Sequence, residues 1–298
     1  MLTGVGTAAG RHRARPNLSA LIVLGVIVAL LAALYAPVFA DFVQAWLTYP
    51  EYNYALLVPL TSLFLLWRRW PALRARPARP AARGGLALGA GLIMLLAGAG
   101  SGVHVIQGIS FIVVVLGMVW FLRGRDTARV ALFPVAYLAC GLGLYRGLAI
   151  SLGFTMQHIT ARYANTLANL LGAPSHRDGL LLTLGHTQFL VATTCSGLSS
   201  LLSLLALGWL VVGEGRGTLP YKLLLCLSIG PLALIANIVR VALVLVISQD
   251  ISPAIADGFV HGLFGGMIFI ITLSLLLLIR KVLLWLDRSA SLSLPRPS

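Results

Sequence analysis

The stretch Leu219 to Ile247, LPYKLLLCLSIGPLALIANIVRVALVLVI, decides what kind of protein this is. It is 29 residues long and carries only two charges, Lys222 near its start and Arg240 well inside. About 20 apolar residues in a helix cross the roughly 30 Å hydrocarbon core of a bilayer. Seven similar runs lie outside it: Leu18–Ala40, Tyr52–Trp67, Gly85–Gly100, Val105–Leu122, Val130–Leu148, Val191–Gly213 and Gly258–Leu286. The expected fold is therefore an all-α integral membrane protein with about eight transmembrane helices, in one multi-spanning domain over residues 1–298.

Composition agrees. Of 298 residues 59% are hydrophobic and 10% are charged, with a mean hydropathy of +0.94. A soluble domain carries about 25% charged residues. The net charge of +14 invites nucleic acid as a partner, but the 22 basic residues lie between apolar runs, not on one amphipathic face. That argues against nucleic acid. Three cysteines, all in apolar segments, are too few for a disulfide framework.

Positive charge collects in cytoplasmic loops. One set of alternate loops holds 18 basic residues, including six arginines from Arg68 to Arg83; the other holds only Arg146, Arg162 and Arg177. Both termini are expected in the cytoplasm of a cell-membrane protein. Arginines, an apolar run and Val38-Phe39-Ala40 also resemble a cleaved signal peptide, although the run is longer than usual for one.

The long segment 149–190 falls on the non-cytoplasmic side. Met156, Ile159, Tyr163, Leu167 and Leu170 have helical spacing, which predicts an amphipathic helix in the interface, ended by Leu171-Gly172-Ala173-Pro174. Arg177-Asp178-Gly179 reads as a turn, and Leu180–Leu184 with Thr187–Val191 as a small hairpin before the sixth span.

Three polar residues in the last spans (191–286) need explanation. Arg240 is a charge inside a span, which is rare and usually functional. It lies seven residues before Ile247, roughly 10 Å below the outer end. Snorkelling to the interface is the plainer reading. Asn237, three residues earlier, shares its helix face. Cys195 sits in Thr193-Thr194-Cys195-Ser196-Gly197-Leu198, where hydroxyls and Gly197 make it unlike a simple buried thiol; Cys140 and Cys226 read as packing residues. His261 enters the eighth span from outside, followed by Gly262 and Gly265-Gly266, which permit close helix approach. Topology gives Cys195, Arg240 and His261 one depth. Together they offer a nucleophile, an oxyanion stabiliser and a proton shuttle for acyl transfer.

The motifs Cys195-Ser196-Gly197-Leu198 and Ala236-Asn237-Ile238-Val239-Arg240, followed by His261, resemble those of the exosortase/archaeosortase family of membrane transpeptidases. The segments 50–70 and 156–179 are also similar to family segments. The resemblance implies a thiol protease that cuts the C-terminal sorting signal of exported proteins: a short motif, a transmembrane helix and a basic tail. Cys195 would form a thioester, His261 move the proton, and Arg240 hold the oxyanion, with Thr194, Ser196, Gly197 and Asn237 in support. An unnamed acceptor nucleophile in the envelope would take the acyl group, with water as the default. Membrane lipid is the other expected partner, and no metal or organic cofactor is implied. This sequence departs from many members at Thr193-Thr194, Gly262 and Tyr52-Asn53-Tyr54-Ala55, which leaves the recognised motif and subfamily open. Asp257 precedes His261 by four residues and reads as a loop residue or as a partner for the imidazole. The competing readings are a transporter using Arg240 as an anion site and a non-enzymatic scaffold.

Overall fold

A computed structural model describes residues 18–143, 146–192, 195–215, 217–249 and 261–293. Helices dominate it, as the apolar runs predict. The chain divides into two compact units, Met1–Ala40 and Asp41–Ser298. Helix α1, Leu18–Thr48, supplies the described part of the first, and Val38-Phe39-Ala40 lies within that helix.

The second unit continues with a 3-10 helix Pro50–Leu56, α2 Leu57–Arg68, α3 Trp70–Ala75, α4 Ala82–Ser101, α5 His104–Arg123 and α6 Arg125–Tyr137. A 3-10 turn Leu138–Gly141 extends α6, and α7 Arg146–Leu170 follows. Three short strands, β1 Ser175–Asp178, β2 Leu181–Leu184 and β3 Thr187–Leu190, precede α8 Leu198–Glu214, α9 Leu219–Ile247 and α10 His261–Ser293. Among the described residues, five helices are long and apolar enough to cross a membrane: 25–48, 82–101, 104–123, 219–247 and 263–287. The chain is a multi-pass membrane protein. The other three expected spans correspond to shorter elements: Leu198–Gly213, the Pro50–Arg68 segment with its 3-10 start, and Arg125–Gly141.

Pro134 explains the irregularity of the last of these. It has no N–H for the Val130 carbonyl, which instead accepts from the Arg69 guanidinium at 3.2 Å. Leu138 N–H turns to the Val135 carbonyl, and the Pro134 carbonyl accepts from Ser62 Oγ at 2.8 Å. At the 3-10 end, Tyr54 Oη donates to the Cys140 carbonyl and Trp46 Nε1 to that of Gly141. Side chains from the preceding elements thus satisfy carbonyls that hydrocarbon would leave bare.

Helices α4 and α5 form a hairpin packed nearly backbone to backbone. A Cβ on Gly84 would meet Phe121 N at 2.2 Å, and one on Gly117 would meet Leu88 N at 2.6 Å. Helices α9 and α10 pack through Tyr221, Leu225, Ile229, Ala233 and Leu276. Asp287 of α10 accepts from the Thr218 backbone N–H at 3.2 Å and from Thr218 Oγ1, capping the start of α9.

Helix α7 forms and ends before Gly172, whose φ of +89° suits glycine. The face that packs includes Met156 and Leu167 of the stripe read from the sequence, but it is built mainly from smaller residues. Tyr163 and Leu170 are exposed, whereas Thr160, Ala161, Ala164 and Ala168 are fully buried against α9 and the sheet. Small side chains let the helices approach closely, which a hydrophobicity count does not reward.

The sheet is antiparallel in the order β1-β2-β3, with two-residue turns at Gly179-Leu180 and Gly185-His186. Arg177 and Asp178 belong to β1, so the turn begins two positions later than expected and the hairpin gains a third strand. Asn169 causes this. Its side chain bonds both the N–H and the carbonyl of Ser175, and Ser175 Oγ donates to Asn165 Oδ1. The first strand is thereby held to the end of α7. The inner face of the sheet carries Leu182, Leu184 and Phe189.

Candidate active site

The Cys195 backbone lies in a short loop between β3 and α8. Its N–H donates to the Ala192 carbonyl at 2.9 Å. Ser196 Oγ accepts from Leu198 N–H at 3.1 Å, which starts α8 two residues later. Between them Gly197 takes φ +81°, the left-handed region that a side chain disfavours. The turn leaves the Cys195 side chain half-buried, just ahead of the positive end of α8.

Asn237, buried in the middle of α9, ties this loop down. Its Nδ2 donates to the Cys195 carbonyl at 2.7 Å and to Thr160 Oγ1 of α7 at 3.0 Å. Its Oδ1 is buried with no hydrogen-bond partner among the described residues. A Cβ on Gly197 would sit 2.8 Å from Asn237 Cγ, so the loop rests directly on this carboxamide. Thr160, Asn237 and the Cys195 loop form one unit drawn from three parts of the chain.

Arg240 follows on α9, three residues beyond Asn237. It is half-buried and interacts electrostatically with Cys195. Its guanidinium lies against α10: a Cβ on Gly265 would be 3.4 Å from Arg240 Cζ. His261 is the first residue of α10, four positions before Gly265. The structure thus joins Cys195, Ser196, Gly197, Asn237 and Arg240. It brings the helix that begins with His261 alongside; the His261 side chain, Thr194 and Asp257 lie outside the described residues. No group of three or more His, Cys, Asp or Glu able to hold a metal occurs among the described residues.

Thr160 is the residue that sequence reasoning missed. The available signal was the spacing Thr160, Ala164, Ala168, a small-residue stripe at every fourth position. If Thr160 positions Asn237, Thr160→Val should leave a buried donor half-satisfied, at a cost of about 1–3 kcal/mol. The expected result is a lowered thermal unfolding midpoint and a changed rate of Cys195 alkylation. Thr160→Ser, which keeps the hydroxyl, should restore both.

The fold and this cluster define a multi-pass membrane protein in which a half-buried cysteine loop is held by the helix that also carries Arg240. The transmembrane exosortase (Exosortase_EpsH) family model matches residues 46–278, and the chain belongs to that family. The matched stretch includes every site residue named above. Comparison with curated proteins and with solved structures gave no match.

Proposed function

We propose that this exosortase-family protein is a membrane-embedded cysteine transpeptidase that removes the C-terminal sorting signal of exported proteins and passes them to an envelope acceptor. One observation carries the reading: the Cys195 carbonyl is held by Asn237, three residues before Arg240 on the same helix. Family membership supports the substrate class.

The Cys195 thiolate attacks the scissile carbonyl carbon. Arg240 stabilises the negative oxygen of the tetrahedral intermediate. As the C–N bond breaks, His261 gives the departing amine the proton taken from the thiol, leaving a thioester on Cys195. An acceptor nucleophile, or water, then attacks the thioester carbonyl and releases the thiol. No cofactor enters these steps.

The reading takes the three shorter elements as spans, giving eight in all, with external segment 149–190 and catalytic spans 191–286. The charge asymmetry of the loops sets both termini in the cytoplasm and Cys195 near the opposite face. Substrates are therefore met after export, at the membrane.

Cys195→Ala tests it. The variant should insert and unfold like the wild type, yet leave a co-expressed protein with a C-terminal membrane anchor uncut. In the wild type, mass spectrometry after mixing with cell membranes should find an acyl group on Cys195. Processing at the wild-type rate in Cys195→Ala would remove Cys195 from the mechanism.

A further inference from the structure

We propose that an apolar cleft beside Cys195 receives a small aliphatic side chain from the substrate, on the residue whose carbonyl the thiol attacks. The inference rests on the transpeptidase reading above and adds its side-chain selectivity. The cleft lies between sheet and helix: Leu182 and Phe189 form one wall, Val241, Val244 and Leu245 another, and Cys195 lines it too. Apart from Cys195, every lining residue is aliphatic or aromatic. A charged or hydrogen-bonding side chain would lose its water there without a partner.

Local structure builds both walls. Leu182 and Phe189 are directly paired across β2 and β3, so their side chains share a face. Val241, Val244 and Leu245 follow one another at helical spacing in the turn after Arg240. The charge that serves the carbonyl oxygen and the apolar wall are therefore consecutive on one helix. A substrate residue held by its carbonyl at Cys195 has its Cα one bond away, and its side chain begins beside this cleft.

Size narrows the choice. The cleft holds about 30 Å³. A water-sized group needs about 10–15 Å³ by the same measure, so there is room for roughly two or three methyl-sized groups. Alanine and valine side chains fit; an aromatic ring does not.

Amino-acid chloromethyl ketones test this without the natural substrate. The thiolate displaces chloride and forms a thioether, and the side chain next to the ketone occupies the position under study. The full-length protein in lipid nanodiscs is treated with the alanine, valine and phenylalanine ketones. Labelling of Cys195 is followed by mass spectrometry and expressed relative to iodoacetamide, which has no side chain. The alanine and valine reagents should label at least about tenfold faster than the phenylalanine reagent. Phe189→Ala should shift that ratio toward phenylalanine by about tenfold. Val244→Ala is a second, milder enlargement that should shift it the same way. Equal rates for all three ketones, with neither variant changing them while iodoacetamide still labels Cys195, would overturn the cleft assignment and leave the nucleophile standing. Failure of iodoacetamide to label Cys195 in the nanodisc, where the same reagent labels it in the unfolded protein, would overturn the transpeptidase reading and the cleft with it.

Discussion

Gly197→Ala should reduce processing by at least about 100-fold while the protein still inserts in the membrane. Two independent costs meet at this position. The backbone has φ +81°, where any residue with a Cβ is strained by about 1–2 kcal/mol. The new Cβ would also lie 2.8 Å from Asn237 Cγ and 2.9 Å from Asn237 Cβ, closer than non-bonded carbons approach. Asn237 has no easy retreat, because its Nδ2 is committed to the Cys195 carbonyl and to Thr160. Relief requires either that the carboxamide leave Cys195 or that the loop lift from α9. Both displace the thiol by a distance that catalysis does not forgive. Processing rate and thermal unfolding midpoint, measured together, check the result. A variant that processes within about twofold of wild type would show that this contact does not position Cys195.

Arg240→Leu should move activity and stability in opposite directions. Removing a half-buried charge from a span relieves a desolvation cost of at least a few kcal/mol. The unfolding midpoint should therefore hold or rise. Loss of the oxyanion partner should lower the rate of thioester formation by about 100- to 1,000-fold. Arg240→Lys keeps the charge but loses the planar fork that lies over Gly265, and should recover only part of the rate. An arginine that merely packed or snorkelled would instead lose stability and activity together, or neither. Single-turnover acylation of Cys195 and thermal unfolding, read on the same preparations, separate these outcomes.

Arg240, Asn237 and Cys195 were legible in the sequence because polar groups stand out in apolar runs, and burying them demands a reason. The strands β2 and β3 were legible as two short runs on either side of Gly185. The contribution of α7 was not. Its hydrophobic periodicity pointed to Met156, Ile159, Tyr163, Leu167 and Leu170, of which Tyr163 and Leu170 are exposed, and away from Thr160, which bonds Asn237, and from the buried alanines beside it. A hydrophobic pattern reports where water or polar groups are unwelcome; it does not distinguish lipid from protein as the neighbour. The span around Val130–Leu148 was blurred for a different reason. Counting apolar residues ignores whether the helix keeps its own hydrogen bonds, and Pro134 hands two of its carbonyls to Arg69 and Ser62.

The cap that Asp287 places on Thr218 has a mechanical side. It pins α9 and α10 together at one end, while Arg240 and Gly265 meet near the other. From Thr218 to Arg240 the helix rises about 33 Å. Over that arm a rotation of about 5° about the pin moves the far ends apart by roughly 3 Å. In this pair the clasp at one end is the fulcrum, and the arginine sits on the jaw.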